Sequence, residues 1–241
     1  MPSRIDQSQR KAARVVGLAY LVAMAVSVFA EFYVRGHLVV ANSAVDTAGN
    51  IMAHERLFRV GIASSLLVFA IDLALIAALY VVLKPVSQNL SLFAVFLRLV
   101  ETTVGAAATL SDFDVLRILS GADYLRVIET DRLQALARLS LGAHGAGNTV
   151  VFVFLGLGST VFSYLWFKAN YIPRALAALG VFGSLLLAAG PFAFIIDPNL
   201  AAIFSPWYLA PIGVFEVTMG FWLLLKGLPA EALPDSSTDA R

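Results

Sequence analysis

The chain has 241 residues, of which 59% are hydrophobic and only 14% are charged. Soluble domains carry about a quarter of charged residues, so this composition excludes an ordinary soluble protein. A formal net charge of +1 provides no basic surface for nucleic acid. The absence of cysteine excludes disulfides, thiolate metal sites and thiol nucleophiles. The expected partner is therefore a lipid bilayer, with no nucleic acid.

Apolar runs of about 20 residues, long enough to cross the hydrocarbon core, recur along the chain. Turn residues separate them, because Lys84-Pro85 follows the second run and Ile172-Pro173 precedes the fifth. The predicted fold is all-α, a polytopic membrane bundle of six transmembrane helices. The predicted spans are 13–34, 58–83, 90–110, 138–167, 175–196 and 206–226. They form a membrane domain at 13–227, between a cytoplasmic segment at 1–12 and a disordered cytoplasmic tail at 228–241.

The loop between the third and fourth spans carries two helix-start signals. Ser111 and Asp123 stand where N-cap residues belong, each before a helix-spaced apolar set, and Gly121 separates the two. This pattern predicts short amphipathic helices that lie on the membrane surface. A lid over an external opening is the alternative.

The basic residues predict the orientation. An even number of spans places both termini on one side, together with all four lysines, whereas the seven arginines of the opposite loops alternate with acids. The positive-inside rule then predicts an inner (plasma) membrane protein with both termini in the cytoplasm. The basic residues on the predicted cytoplasmic side are Arg4, Arg10, Lys11, Arg14, Lys84, Lys168, Arg174 and Lys226.

The first span has a second interpretation. Val28-Phe29-Ala30 follows an apolar run with a basic flank, as a signal-peptidase site does. Cleavage there would leave five spans and would divide the lysines between the two sides. An uncleaved first span is the favoured interpretation.

Charged side chains interrupt the apolar runs. Arg98 and Glu101 share one face of the third span, while Asp72 and Glu216 lie halfway along the second and sixth. A charge at the bilayer centre costs about 2.5–3.5 kcal/mol on insertion scales, so these side chains are expected to face one another inside the bundle. The second, third, fourth and sixth spans are therefore predicted to converge.

The fourth span adds two polar residues to this prediction. His144 and Asn148 lie one turn apart in its outer part. The predicted binding site for a small cation or polar ligand therefore consists of Asp72, Arg98, Glu101, His144, Asn148 and Glu216. Glu31 and Arg35 are expected at the membrane interface.

The charge balance of this set suggests two hypotheses. Three carboxyls face one guanidinium, so either one or two acids are protonated at neutral pH or a cation occupies the site. The first hypothesis is a proton- or cation-coupled binding or transport site. The second is a structural or partner-binding subunit whose buried charges only fix helix register.

Motifs for catalysis are weak, and no cofactor is indicated. Asp112-Phe113-Asp114 has a spacing that can hold a divalent metal, but acids near a helix start are explained by the helix dipole. The small residues around Ser159 fit helix packing better than a nucleophile, since no strand-to-helix elbow is available. No catalytic or metal residues are predicted, and an enzyme is the less favoured class.

Four segments together carry a resemblance. ARVVGLAYLV near the start, FLRLVETT in the third span, YIPRALAALGVFG at the fifth and FEVTMGFWLLLKG in the sixth resemble the bacterial integral membrane family called domain of unknown function 4386. The resemblance covers about residues 12–227 and implies a small multi-span helical protein with no assigned activity. It also implies that Arg98, Glu101, His144 and Glu216 are family positions, whereas Asp72 does not transfer.

Overall fold

The computed structural model describes residues 5–229, and within them the chain is helical without β-strands. Six helices in this described part of the chain are long and apolar enough to cross a membrane, which confirms the predicted polytopic bundle. These spans are Gln7–Leu38, Glu55–Leu83, Gln88–Ile118, Thr130–Ala169, Arg174–Ile196 and Trp207–Leu225. Residues 230–241 of the predicted tail lie outside the described part of the chain, as do residues 1–4.

The third span is longer than predicted. Its helix Gln88–Ala108 continues through Thr109, which keeps right-handed helical backbone angles, into Leu110–Ile118. Ser111 is therefore inside a helix, and its prediction as an N-cap was wrong. Ser111 does not start a new helix because the backbone hydrogen bonds continue past it. The Thr109 N–H donates to the Gly105 carbonyl, and the Asp112 N–H donates to the Thr109 carbonyl.

The loop after the third span holds less helix than predicted. Gly121 has a left-handed φ of +68°, and a single 3₁₀ turn follows at Asp123–Leu125, before the fourth span begins at Thr130. Asp123 opens that turn without acting as a side-chain cap, so this N-cap prediction was also wrong. The short helices outside the spans are Ala44–Ala53, capped by Ser43, and Pro198–Phe204.

The first span is one helix of three parts. A regular α-helix, Gln7–Val28, widens into a π-helical turn at Phe29–Arg35 and ends with Gly36–Leu38. A π-helical turn shifts the side chains that follow it relative to a regular helix, and such turns occur often at functional sites. Here Arg35 is the last residue of the turn.

The six spans form a ring in chain order. Each span packs against the next, and the sixth packs against the first, which closes the ring. Glycine permits close approach between neighbouring spans. A Cβ at Gly17 of the first span would lie 2.9 Å from the Gly220 carbonyl oxygen of the sixth, and one at Gly156 of the fourth span would lie 2.4 Å from the Ala188 nitrogen of the fifth. A ring of this kind brings one face of every span towards a common interior.

Two apolar cores fill that interior. We call the end of the bundle at which the first span begins and the sixth span ends the inner end, and the opposite end the outer end. The larger core, towards the inner end, contains Trp166, Phe162, Phe215 and Met219. The smaller core lies near the outer end and is made of Val34, Leu38, Ile51, Phe58, Ile62, Val115, Ala137 and Leu141.

Candidate functional site

Arg98 is the centre of a buried polar cluster that joins three spans. Its side chain is 4% exposed, and its Nη2 donates to Asp72 Oδ1 of the second span at 3.4 Å. Its Nη1 donates to Ser159 Oγ of the fourth span at 3.4 Å, and its Nε lies 3.4 Å from Glu101 Oε2 one turn further along. The third span therefore supplies the cation and one acid, and the second span supplies another acid.

Thr102, Glu216 and Tyr20 extend this central cluster. The Thr102 hydroxyl lies 2.9 Å from the Arg98 carbonyl oxygen and 3.3 Å from Glu101 Oε2. Glu216 of the sixth span and Tyr20 of the first are within electrostatic range of Arg98, without an ion pair to it at contact distance. The predicted convergence of the second, third, fourth and sixth spans is therefore present in the structure, and the first span joins them.

A glycine makes space for the guanidinium-bearing side chain. A Cβ at Gly158 would lie 2.8 Å from Arg98 Cγ and 3.0 Å from Arg98 Cδ, so any side chain larger than hydrogen would displace the arginine. Ser159, the next residue, accepts from the same arginine. The small residues around Ser159 thus serve packing and hydrogen bonding, which agrees with the sequence interpretation.

A second buried cluster lies towards the outer end. Asp112 of the third span is 1% exposed, and its Oδ2 accepts from Arg35 Nη2 at 2.7 Å. The same Oδ2 lies 3.0 Å from His144 Nδ1 of the fourth span, in an alignment outside hydrogen-bond geometry, and Glu31 Oε1 lies 3.4 Å from Arg35 Nε. Asp112 Oδ1 is buried and has no hydrogen-bond partner in the described residues. We call Glu31, Arg35, Asp112 and His144 the outer cluster.

The single cluster predicted from the sequence is therefore two clusters, and His144 belongs with Asp112 rather than with Arg98. The reason is helix length. Arg98 and Asp112 are 14 residues apart in the sequence, about 21 Å along a helix at 1.5 Å per residue. On the antiparallel fourth span, Ser159 contacts Arg98, and His144 lies 15 residues before Ser159. The contact of His144 with Asp112 is therefore at a different depth in the bundle from the contact of Ser159 with Arg98.

Asn148 lies between these two levels. The adjacent Gly147 approaches Ala108 of the third span so closely that a Cβ there would be 2.4 Å from the Ala108 Cβ. Ala108 is ten residues beyond Arg98 and four before Asp112. Asn148 is half-buried, and no side-chain hydrogen bond fixes it in the described structure.

Sequence reasoning missed the role of Asp112 and Arg35. Asp112 was explained by the helix dipole and Arg35 by the membrane interface, yet they form a direct ion pair. The D-x-D motif is divided, because Asp112 is buried while Asp114 is exposed and pairs with Arg117 at 3.5 Å. Among residues 5–229, no group of three or more acidic or histidine side chains has an arrangement that holds a metal ion.

Comparison with known proteins gives a family match over most of the chain. The chain matches the family described as "Domain of unknown function (DUF4386)" over residues 15–227. The chain belongs to this family. It is also similar to an uncharacterized protein of Archaeoglobus fulgidus, with 28% identity over 165 residues that cover 67% of this chain and 80% of the relative. No solved structure gives a significant match.

Membership in the DUF4386 family confirms the predicted resemblance and assigns no activity to either cluster. The central cluster combines one arginine with carboxyls from three spans; Asp72, Arg98 and Glu101 are buried, and Glu216 is half-buried. Such a group can bind a proton or a cation on its acids, or a small polar ligand between its acids and the guanidinium.

Proposed function

We propose that this protein is a proton- or cation-coupled binding or transport protein whose site is the central cluster of Asp72, Arg98, Glu101 and Glu216. One observation supports the proposal above the rest. Arg98 is shared between two carboxyls, and a third carboxyl lies in its field without an ion pair to it at contact distance. An excess of acids over cations in a low-dielectric interior favours uptake of a proton or a cation.

The loose geometry of Arg98 is a second reason. Its three polar contacts are each 3.4 Å long, whereas charge-assisted N–H···O bonds are typically about 2.7–2.9 Å. Within residues 5–229, no group forms a hydrogen bond with its Nε. A guanidinium held solely to fix helix register is expected to have shorter and more complete hydrogen bonds. The long contacts of Arg98 therefore favour a site at which a proton, a cation or a ligand binds and leaves.

The membrane and the orientation are part of the proposal. The excess of lysine near the span ends on the side of the termini supports an inner (plasma) membrane protein with both termini in the cytoplasm. In that orientation, the outer cluster lies near the external face and the larger apolar core lies towards the cytoplasm.

The test is proton and cation flux in proteoliposomes loaded with a pH-sensitive dye. A pH gradient is imposed with sodium, with potassium or with neither, and its decay is followed. We expect faster decay than in protein-free vesicles, and a return to the protein-free rate in Glu216→Gln and in Asp72→Asn. Glu55→Gln and Asp114→Asn change exposed acids that pair with Arg59 and Arg117, so they serve as matched controls that keep the flux.

The second candidate is a structural or partner-binding subunit, and the fit of Arg98 against Gly158 favours it. A tailored space for one side chain is what a register-fixing contact needs. This candidate predicts no protein-dependent flux of protons, sodium or potassium, together with a fold that is restored when the cluster is replaced as a whole by apolar residues. That pair of results would replace the transport proposal.

A further inference from the structure

The outer cluster combines an uneven set of charges around a buried oxygen. Arg35 pairs with two carboxylates, the exposed Glu31 at 3.4 Å and the buried Asp112 at 2.7 Å, so Asp112 shares its one fixed cation. His144, 3.0 Å from Asp112, is the group that can supply the second cation by taking up a proton. We propose that His144 and Asp112 form a second, outer proton-binding site, from which a polar stripe on the third span leads to the central cluster. This inference rests on the proposed function and adds a route by which protons enter the central cluster.

The space at the outer cluster decides what can bind there. Asp112 lines a cavity of about 10 Å³ together with Ser65, Gly61 and Arg35, and a buried water needs about 10–15 Å³. The cavity therefore has room for one water molecule at most, next to a carboxylate whose Oδ1 has no partner. A polyatomic ligand does not fit, whereas a proton needs no space.

The polar stripe is a row of buried residues on one face of the third span. Beyond Arg98 and Glu101, positions spaced by three or four residues carry hydroxyl, glycine and carboxyl groups and are all buried. The hydroxyls of Thr102 and Thr109 donate to carbonyls one turn back, so their lone pairs remain free to accept from water. The stripe consists of Arg98, Glu101, Thr102, Gly105, Thr109 and Asp112.

Neighbouring spans add a polar residue and a barrier to the stripe. Asn148 of the fourth span is at its middle level, since the preceding residue, Gly147, packs against Ala108. The ring of Phe69 of the second span occupies the space over Gly105, where a Cβ would lie 2.4 Å from two ring carbons. The ring thus divides Thr102 from Thr109 and closes the stripe in this conformation.

On the inner side of the central cluster, the buried polar side chains of residues 5–229 include Gln9, Ser91 and Ser163, but no acid or histidine is buried there. Below Asp72 and Arg98, the interior is filled by large apolar side chains, among them Leu79, Trp166 and Met219. Buried charged side chains of residues 5–229 are confined to the two clusters. Access by protons is therefore expected from the outer end.

Apart from Arg138, the other charged groups named here near the outer end have partners or are exposed. On the second span, Glu55 and Arg59 pair with each other at 2.7 Å, and Arg56 is exposed. On the helix Ala44–Ala53, Asp46 is bonded to Ser43. Asp197, after the fifth span, accepts from Asn199, and Arg138 of the fourth span lies half-buried about two turns from His144. His144 therefore responds chiefly to Asp112 and Arg35.

The first experiment observes His144 itself. The chain has three histidines, so ¹⁵N-histidine NMR of the whole protein in micelles gives three ring systems, and loss of one set in His144→Gln assigns the buried ring. Over the pH range in which the protein stays folded, we expect the His144 ring to take up a proton reversibly as the pH is lowered. Asp112→Asn should alter that titration, and the exposed Asp114→Asn should not. A ring unchanged across this range would overturn the proposal.

The second experiment tests the connection, in the dye-loaded proteoliposomes described above. We expect Thr109→Val to slow the proton flux. Its control is Thr149→Val, since both hydroxyls donate to the carbonyl of a glycine one turn back but Thr149 is more exposed and off the stripe. Flux that depends on Asp72 but is unchanged in Thr109→Val and Asp112→Asn would keep the proposed function and reject this entrance. Absence of flux in the unaltered protein would reject the proposed function, and the NMR titration would then decide on the outer site alone.

Discussion

The two buried clusters contain similar groups but differ in access to water. In the central cluster the side chains of Arg98 and Glu101 are 4% and 2% exposed and that of Asp72 is 12% exposed, so these ion pairs have little access to water. In the outer cluster the Arg35 side chain is 18% exposed, and a histidine shares the carboxylate. The comparison indicates that the central charges depend on one another, whereas the outer ones can exchange partners with solvent.

Removal of Arg98 is expected to have the largest effect. Arg98→Met leaves Asp72 and Glu101 buried without a cation, and breaking a buried ion pair costs about 3–5 kcal/mol. Unfolding of the purified protein in micelles, followed by circular dichroism against added denaturing detergent, measures the loss. Arg59→Met, which removes a 57% exposed arginine, is the matched control and should be almost neutral.

Restoring variants sharpen this result. Arg98→Met with Glu101→Leu still leaves Asp72 unpaired, because Asp72 also contacts Arg98, so recovery should be partial. Adding Asp72→Leu should restore more. If the double variant already recovered fully, Asp72 would not be part of the same charge network.

The close fit of Gly158 gives the second largest effect. Gly158→Ala forces the aliphatic part of Arg98 to move, and overpacking of this kind costs about 1–3 kcal/mol. Gly142→Ala on the same helix is the control, since nothing lies within 4 Å of its added Cβ, and alanine favours helix by up to about 1 kcal/mol. The same unfolding assay compares the two. Equal stability would mean that Arg98 has room to shift at no cost.

The fold was largely predictable because hydrophobicity and span length determine it. The six spans, their order and the meeting of Asp72, Arg98, Glu101 and Glu216 all follow from the cost of charge in lipid. Span ends were not predictable, because caps such as Ser111 compete with continued backbone hydrogen bonding. The π-helical turn before Arg35 has no signal in the sequence.

The residue numbers contain a signal for the division into two clusters that the sequence analysis did not use. In an antiparallel pair of helices, residues at one level have numbers with a constant sum. Arg98 with Ser159 and Asp112 with His144 give sums of 257 and 256. Given one contact, the second would have followed, and His144 would have been placed about 21 Å from Arg98. The first contact itself required the fold.

Removal of Arg35 should cost less than removal of Arg98. Arg35→Met leaves the buried Asp112 with His144 as its remaining cationic partner, and an unpaired buried polar group costs about 1–3 kcal/mol. Because a protonated His144 can replace the lost charge, the defect should shrink as the pH is lowered. The unfolding assay at several pH values measures this, and a pH-independent defect would show that His144 does not compensate.

The exposed ion pairs give the smallest expected effect and the baseline for the whole comparison. Glu55 and Arg59 lie closer together, at 2.7 Å, than Arg98 and either of its acids, yet both side chains are more than half exposed. Exposed pairs gain little because water and salt screen them, so Arg59→Gln should change stability by about 0.5 kcal/mol or less. If distance alone set the contribution of an ion pair to stability, this pair would contribute more than the pairs of Arg98. Its exposure instead predicts the smallest contribution. If Arg59→Gln cost as much as Arg35→Met, burial would not be what separates the two clusters from the surface pairs, and the charge argument for the central site would lose its basis.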